Sequence, residues 1–259
     1  MFRWWRQRRA TPPIPEPLWQ QVLADFPFLA QRPATDSARL RELTARFLQD
    51  KEFHGAQGLV ITDAMALAIA AQAVLPVLHL GLDWYDDFVG IVVHPDEVVA
   101  RRTTVDEAGV VHDWDEVLAG EAMDQGPVML SWRDVREAGQ DREDGYNVVV
   151  HEFVHKLDLR DGASDGCPPL PSRAARQQWL ETMQAGYEAF REKVIVAERF
   201  GGEPTWLDPY GAEAPGEFFA VACEAYFVNP ERFGREFPDL VPLFDGFFRR
   251  GADISASAP

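Results

Sequence analysis

The feature that most constrains this chain is an apolar run, residues 147–158, that is interrupted by the pattern His-Glu-x-x-His. On a helix, His151 and His155 are four residues apart and lie one above the other on the same face. Two neutral imidazoles in that arrangement can bind one Zn²⁺, and Glu152 can then act as general base on a water molecule. Burying three such side chains without a metal or partners would be costly. The pattern therefore predicts a zinc site on a buried helix.

Composition and charge favour a soluble cytoplasmic protein. The 259 residues are 46% hydrophobic and 26% charged, which is typical of a globular chain with a substantial core. A net charge of −17 argues against nucleic acid as a partner. Cys167 and Cys223 are too few for a disulfide framework and indicate reduced thiols. No apolar run approaches the roughly 20 residues of a membrane span, so we expect no stable membrane association.

The termini are expected to lie outside the folded part. The first ten residues are basic and aromatic, like the start of a signal peptide, but a proline-rich stretch follows where an apolar segment would be needed. We predict a flexible tail over residues 1–16, a single domain over 17–250 and a disordered tail over 251–259.

Hydrophobic periodicity and turn signals predict a mixture of helices and short strands, and hence an α+β fold. The predicted helices are 18–28, 36–50 with a cap at Asp36 or Ser37, 64–79 after a cap at Thr62, the zinc helix, 173–199 after a cap at Ser172, and 210–224. The predicted strands are 52–60, 88–94, 110–112 and 126–132. A small sheet of these strands would support the zinc helix, and the edge of strand 126–132 could hold a peptide by β-augmentation.

A catalytic zinc takes three protein ligands and leaves one position open, so a third ligand is required. Glu217, on a later helix, is the first candidate. Asp161 is the second, because it stands six residues after His155, but that pattern requires a glycine where Asp158 stands. Asp158 itself is the third, although one helical turn beyond His155 it is better placed to hydrogen-bond a ligand histidine.

Two further glutamates remain as outside candidates for the ligand set, Glu213 and Glu224. Glu224 lies seven residues beyond Glu217, which places both on one face of a helix. That spacing is consistent with Glu217 as a ligand and Glu224 as a residue that orients one.

Several segments resemble known metalloproteases. The segment Tyr210-x₆-Glu217-Phe-Phe-Ala resembles the region after the zinc helix in the metalloprotease domain of anthrax lethal factor, where a tyrosine hydroxyl lies over the active site. The wider chain is similar to the Mlc titration factor A (MtfA) family of bacterial zinc metallopeptidases. The matching segments are 75–84, 109–112, 125–132, 151–158 and 210–221.

This resemblance implies a zincin-like fold, with helical layers before and after the sheet, and a cytosolic peptidase of aminopeptidase type. It implies that His151, His155 and Glu217 bind Zn²⁺, that Glu152 is the base and that Tyr210 stabilises the oxyanion. The family also implies binding to Mlc, the repressor of the glucose regulon in enteric bacteria.

His112 matches a histidine that is treated as an additional metal contact in this family. If it joined the other ligands, the site would be closed, which would be a self-inhibited resting form. The alternative function is a non-catalytic binding protein that sequesters a repressor and retains a structural zinc site. The presence of both Glu152 and Tyr210 favours the enzyme, because neither a base nor an oxyanion donor is needed to hold a metal.

Overall fold

The computed structural model describes residues 12–105, 111–138 and 143–249, and within 99–118 it describes the backbone alone. The α-helices are α1 Glu16–Asp25, α2 Pro27–Ala30, α3 Ala34–Asp50, α4 Asp63–Ala73, α5 Trp132–Glu137, α6 Val148–Asp158, α7 Arg173–Phe200, α8 Pro215–Val228, α9 Pro230–Glu236 and α10 Leu240–Phe248. The strands are β1 Glu52–Gly55, β2 Gly90–His94, β3 Val98–Val105, β4 Val111–Leu118, β5 Gly120–Ala122 and β6 Val128–Ser131. Short 3₁₀ helices cover Leu82–Tyr85, Leu159–Asp161 and Pro209–Ala212.

Four strands form a mixed sheet in the order β1-β2-β6-β5. The first three are parallel, and β5 pairs antiparallel with β6. The predicted α+β fold with a small mixed sheet is confirmed. The predicted peptide-binding edge on residues 126–132 is wrong, because β6 is paired on both sides and the edge strands of the described sheet are β1 and β5. Three residues are too short a segment to give a periodic signal, so sequence reasoning missed β5.

Local capping explains where three of the helices begin. The side-chain oxygens of Thr62, Asn147 and Ser172 each accept a backbone N–H from three residues further on, at the starts of α4, α6 and α7. The predicted caps at Thr62 and Ser172 are confirmed. The predicted cap at Asp36 or Ser37 is wrong, because α3 begins earlier, directly after Pro33.

Other boundaries differ from the predictions for identifiable reasons. The predicted helix 64–79 ends at Ala73, before Pro76, whose ring opposes continuation. The predicted helix 210–224 is two elements, because Pro215 starts α8 and the residues before it form a separate 3₁₀ turn. Helix α5 begins at Trp132, the last residue of the predicted strand 126–132, and is not among the predicted helices.

The N-terminal segment packs earlier than predicted. Ile14 is buried, its carbonyl accepts a hydrogen bond from Arg41, and α1 begins at Glu16. The remainder of the predicted N-terminal tail, residues 1–11, and the predicted C-terminal tail, 251–259, lie outside the described residues. The β3–β4 pair forms a separate two-stranded sheet where only a short strand at 110–112 was predicted.

Helix α6 lies at the centre of this fold, in contact with β5 and β6, with α4 and with α8. Every residue of α6 except His151 is buried. Phe153 anchors the side facing away from α8, where its ring lies 5.2 Å from the ring of Tyr85 and 5.9 Å from that of Phe88. Among the described helices, none is long and apolar enough to cross a membrane.

Candidate metal centre

Three side-chain atoms from two helices meet at one point beside α6. The Nε2 atoms of His151 and His155 are 3.1 Å apart, and Oε2 of Glu217, from α8, lies 3.2 Å from each of them. The two histidines are adjacent because they are one turn apart on α6. The glutamate joins them because α8 packs against α6 with its first turn beside the histidine face.

The dimensions of this triangle fit a zinc ion. Zinc–ligand bonds of 2.0–2.1 Å in tetrahedral geometry separate neighbouring ligand atoms by about 3.3 Å, close to the 3.1 and 3.2 Å sides observed. Two nitrogen lone pairs pointing at a common carboxylate oxygen would repel one another without a cation between them. Within the described part of the chain, these three residues are also the one cluster with metal-ligand geometry.

Glu224 fixes the orientation of His151. Its Oε1 accepts a hydrogen bond from His151 Nδ1 at 2.7 Å, and its Oε2 accepts the backbone N–H of Asn147 at 2.5 Å. Because Nδ1 then carries the hydrogen, the Nε2 lone pair of His151 points to the meeting point of the three atoms. Glu224 therefore stands behind a candidate ligand, and it is almost fully buried there.

The pKa values of the cluster are displaced by burial and mutual contact. Burial lowers the pKa of His151, but hydrogen bonds to Glu217 and Glu224 outweigh burial and raise that pKa well above its usual value. Burial raises the pKa of Glu217, but hydrogen bonds from His151 and His155 reverse this and hold it well below the usual range. In the protein without metal, His151 and Glu217 therefore share a proton that a cation would displace.

Glu152 occupies a different environment from the candidate ligands. Its side chain is 5% exposed, and burial raises its pKa to about 7. The neighbouring imidazoles of His151 and His155 oppose that rise. A carboxyl group with a pKa near neutrality can both accept and return a proton at physiological pH.

The two aspartates that follow the histidines do not join the cluster. Asp161 is exposed and accepts the backbone N–H of Ala163. Asp158 accepts the backbone N–H of Gly166 at 2.8 Å rather than a hydrogen bond from a ligand histidine, so it holds the loop that follows α6. Its other oxygen is buried without a hydrogen-bond partner, and burial raises its pKa to about 7. Glu213 is also absent from the cluster.

Tyr210 lies beside the candidate ligands, with its ring 6.1 Å from the ring of His151. The 3₁₀ helix that carries Tyr210 is capped by Asp208, whose side chain accepts the Tyr210 N–H at 2.9 Å. His112 lies in β4, opposite Thr104, but its side chain lies outside the described residues. Its role as a metal contact therefore stays a prediction.

A cavity of about 260 Å³ opens in front of His151 and Glu152. Sequence reasoning found some of its lining residues but missed others, which carry no local motif. The missed residues are Ala119, Gly120, Tyr146, Val148, Asp208 and Val221. Their common feature is position around α6, which only the packing of α8 and β5 reveals.

An α+β fold that buries a His-Glu-x-x-His helix and brings a glutamate to it from a later helix defines a metallopeptidase-type centre. The family model for glucose-regulated metallo-peptidase M90 matches residues 2–249. The chain therefore belongs to that family.

Relatives in several bacteria support the same assignment. Mlc titration factor A of Klebsiella pneumoniae (strain ATCC 700721 / MGH 78578) is 34% identical over 252 residues, covering 96% of this chain and 92% of the relative. The protein of the same name from Edwardsiella ictaluri is 35% identical, covering 96% and 94%. An uncharacterized protein of Synechocystis is 38% identical over 247 residues, covering 94% and 88%.

Proposed function

We propose that this protein is a zinc-dependent peptidase in which His151, His155 and Glu217 bind the metal. The observation that carries the proposal is the triangle of ligand atoms 3.1 to 3.2 Å apart with a buried glutamate beside it. A bound zinc ion would polarise the carbonyl of the scissile peptide bond and acidify a water molecule.

Glu152 performs the proton transfers in this mechanism. It accepts a proton from the attacking water and returns it to the nitrogen of the leaving amine. Burial supports both steps, because in the protein without metal it raises the pKa of Glu152 to about 7, where neither protonation state is strongly favoured. The Tyr210 hydroxyl donates a hydrogen bond to the carbonyl oxygen as that oxygen becomes negative. One such donor typically stabilises the transition state by about 3 kcal/mol.

The charge of the cavity supports an aminopeptidase type of activity. Glu152, Asp208 and Glu224 line it, and no lysine or arginine is among its lining residues in the described structure. Asp208 is exposed, and its Oδ1 holds the Tyr210 backbone. A peptide with a free, protonated N-terminus would be attracted to this acidic wall more strongly than one with a blocked N-terminus.

The proposal is tested by digesting a peptide library with the wild-type protein and with Glu152→Gln. We expect Glu152→Gln to lose activity by about a hundredfold or more while binding one zinc ion per chain. Glu198→Gln, the same change on the exposed face of α7, is the matched control and should behave as wild type. Equal activity in wild type and Glu152→Gln would refute the role of the base. Equal cleavage of N-acetylated and free peptides would refute the aminopeptidase type alone.

A second function is supported by the relatives named Mlc titration factor A. We propose that this chain also binds an Mlc-like repressor, on a surface separate from the metal centre. Binding measured by calorimetry should then be the same for wild type and Glu152→Gln. Absence of binding to such a repressor would remove this second function and leave the peptidase proposal unaffected.

The role of His112 is tested in the same preparations. If His112 is an additional metal contact that restrains the enzyme, then His112→Ala should keep one zinc per chain and raise the rate of hydrolysis. An unchanged or lower rate would show that the site is not self-inhibited through His112.

A further inference from the structure

The general base packs directly against a glycine at the start of the edge strand. A Cβ atom built on Gly120 would lie 2.5 Å from Oε1 of Glu152, 2.6 Å from its Cγ and 2.7 Å from its Cδ. Atoms do not approach so closely, so the space that the Glu152 carboxyl group occupies exists only because residue 120 has no side chain.

The backbone conformation does not explain why glycine stands at this position. Gly120 does not have a positive φ, unlike Gly145 and Gly166. An alanine at residue 120 would therefore fit the strand backbone without strain. What requires glycine is the close approach of the Glu152 side chain.

The backbone on both sides of this contact is fixed in place. Strand β5 pairs with β6, and the carbonyl of Ala119 accepts the Ser131 N–H at 2.7 Å. The turn that follows β5 is held to α6 itself, because Lys156 Nζ donates to the carbonyls of Met123 at 2.9 Å and Gly126 at 3.5 Å. The helix that carries Glu152 thus also holds the turn beyond the strand that Glu152 contacts.

We propose that Gly120 is a positioning residue for Glu152. The bare α-carbon lets the Glu152 carboxylate pack closely against β5, and a methyl group there would push the carboxylate out of this space. The side chain is the movable partner, since the strand is held by β6 and by Lys156. The catalytic consequence rests on the proposed peptidase function, whereas the contact itself does not.

The kinetic test compares Gly120→Ala with Gly90→Ala. Gly90 lies in β2 of the same sheet, and a Cβ there would meet only Pro127 Cβ at the ordinary distance of 3.5 Å. Displacing a catalytic group by about 1 Å can cost on the order of a hundredfold in rate. We expect Gly120→Ala to lower kcat by about tenfold to a hundredfold, with KM changed by less than about twofold and one zinc bound. Gly90→Ala should match wild type. Wild-type kcat in Gly120→Ala would overturn the inference.

A second test does not depend on activity. Thermal unfolding of the metal-free protein is measured for Gly120→Ala, for Glu152→Ala and for the double variant. Glu152→Ala removes the three atoms that lie nearest to the new methyl group. Gly120→Ala should therefore lower Tm by at least about 2 °C in the wild-type background and should leave Tm unchanged beside Ala at position 152. An equal loss of Tm in both backgrounds would overturn the inference, since the cost would then come from the strand. If the wild-type protein hydrolyses no peptide, the proposed function fails and this cycle still decides the role of Gly120.

Discussion

The two faces of α6 are both buried, but their polar groups are satisfied in different ways. On the face toward β5 and β6, Lys156 is fully buried, and its ammonium group is surrounded by acceptors from the protein. Asp87 Oδ2 lies 3.1 Å from it, and the ring of Phe88 lies 4.7 Å away. On the face toward α8, His151, His155 and Glu217 bring two nitrogens and an oxygen together in an arrangement that can hold a metal ion.

The two faces of α6 are therefore expected to contribute differently, one to the stability of the fold and the other to the binding of a metal ion. The face around Lys156 is complete without any ligand, so damage to it should reduce the stability of the fold. The face around His151 and His155 brings three candidate metal ligands together, so damage to it should reduce affinity for a cation. Each prediction below tests one side of this comparison.

The largest effect is expected on the Lys156 face. Lys156→Met would remove the cation nearest to Asp87, a carboxylate that is 19% exposed and would keep the longer contact to Arg160 at 3.6 Å. It would also leave the carbonyls of Met123 and Gly126 without this donor. The change should lower the free energy of unfolding by about 3–5 kcal/mol. Urea unfolding of the metal-free protein measures this change. Adding Asp87→Asn should restore much of the loss, because neither charge would then be buried alone. Zinc stoichiometry should remain one per chain in both variants.

On the other face, Glu217→Ala should weaken zinc binding by a hundredfold to a thousandfold. A zinc site of four ligands is worth about 10–16 kcal/mol in small proteins, or roughly 3 kcal/mol for each ligand. Competition with a chelator measures the affinity. Asp161→Ala is the control, and we expect its affinity to equal that of wild type. The opposite outcome, with Asp161→Ala losing the metal, would make Asp161 the third ligand.

The buried Glu152 side chain should make the metal-free protein less stable as the pH rises. The pKa of Glu152 is about 7 in the folded protein and 4.5 as a free side chain. Between these values the folded state holds the proton and the unfolded state does not, so stability falls as pH rises from 4.5 to 7. The full cost above pH 7 is on the order of 3 kcal/mol.

Glu152→Gln isolates this contribution, because the amide does not ionise. The stability difference between the variant and wild type should be near zero at pH 4.5 and should favour Glu152→Gln at pH 8. Chemical unfolding at a series of pH values measures it. A stability difference that does not change with pH would mean that folding does not raise the pKa of Glu152.

The smallest of these effects is expected at Glu224, which lies behind the candidate ligand His151. Glu224→Gln keeps an acceptor for His151 Nδ1 but removes the negative charge that makes the imidazole a stronger ligand. Changes of this kind typically weaken metal binding or activity by about tenfold to a hundredfold. Zinc titration should show this loss without a change in stoichiometry. Wild-type affinity would show that only the hydrogen bond matters.

Much of this molecule follows from local sequence. A His-Glu-x-x-His pattern places His151 and His155 together in any helix, because a spacing of four is a property of the helix itself. The caps at Thr62 and Ser172 also depend only on residues within one turn. The resemblance to the MtfA family favoured Glu217 over the other acidic candidates and pointed to Tyr210, which the pattern alone could not select.

The tertiary structure decided which distant groups meet at α6. Glu217 lies 62 residues beyond His155 in the chain, and only the packing of α8 against α6 brings it to 3.2 Å. The same packing places Glu224 behind His151 and leaves Asp158 and Asp161 to the loop. Gly120 had no signal in sequence, because its role depends on missing atoms rather than on a chemical group. The sequence by itself determined the helix and its two histidines through short-range geometry, whereas the third candidate ligand and the space for the base depend on long-range packing.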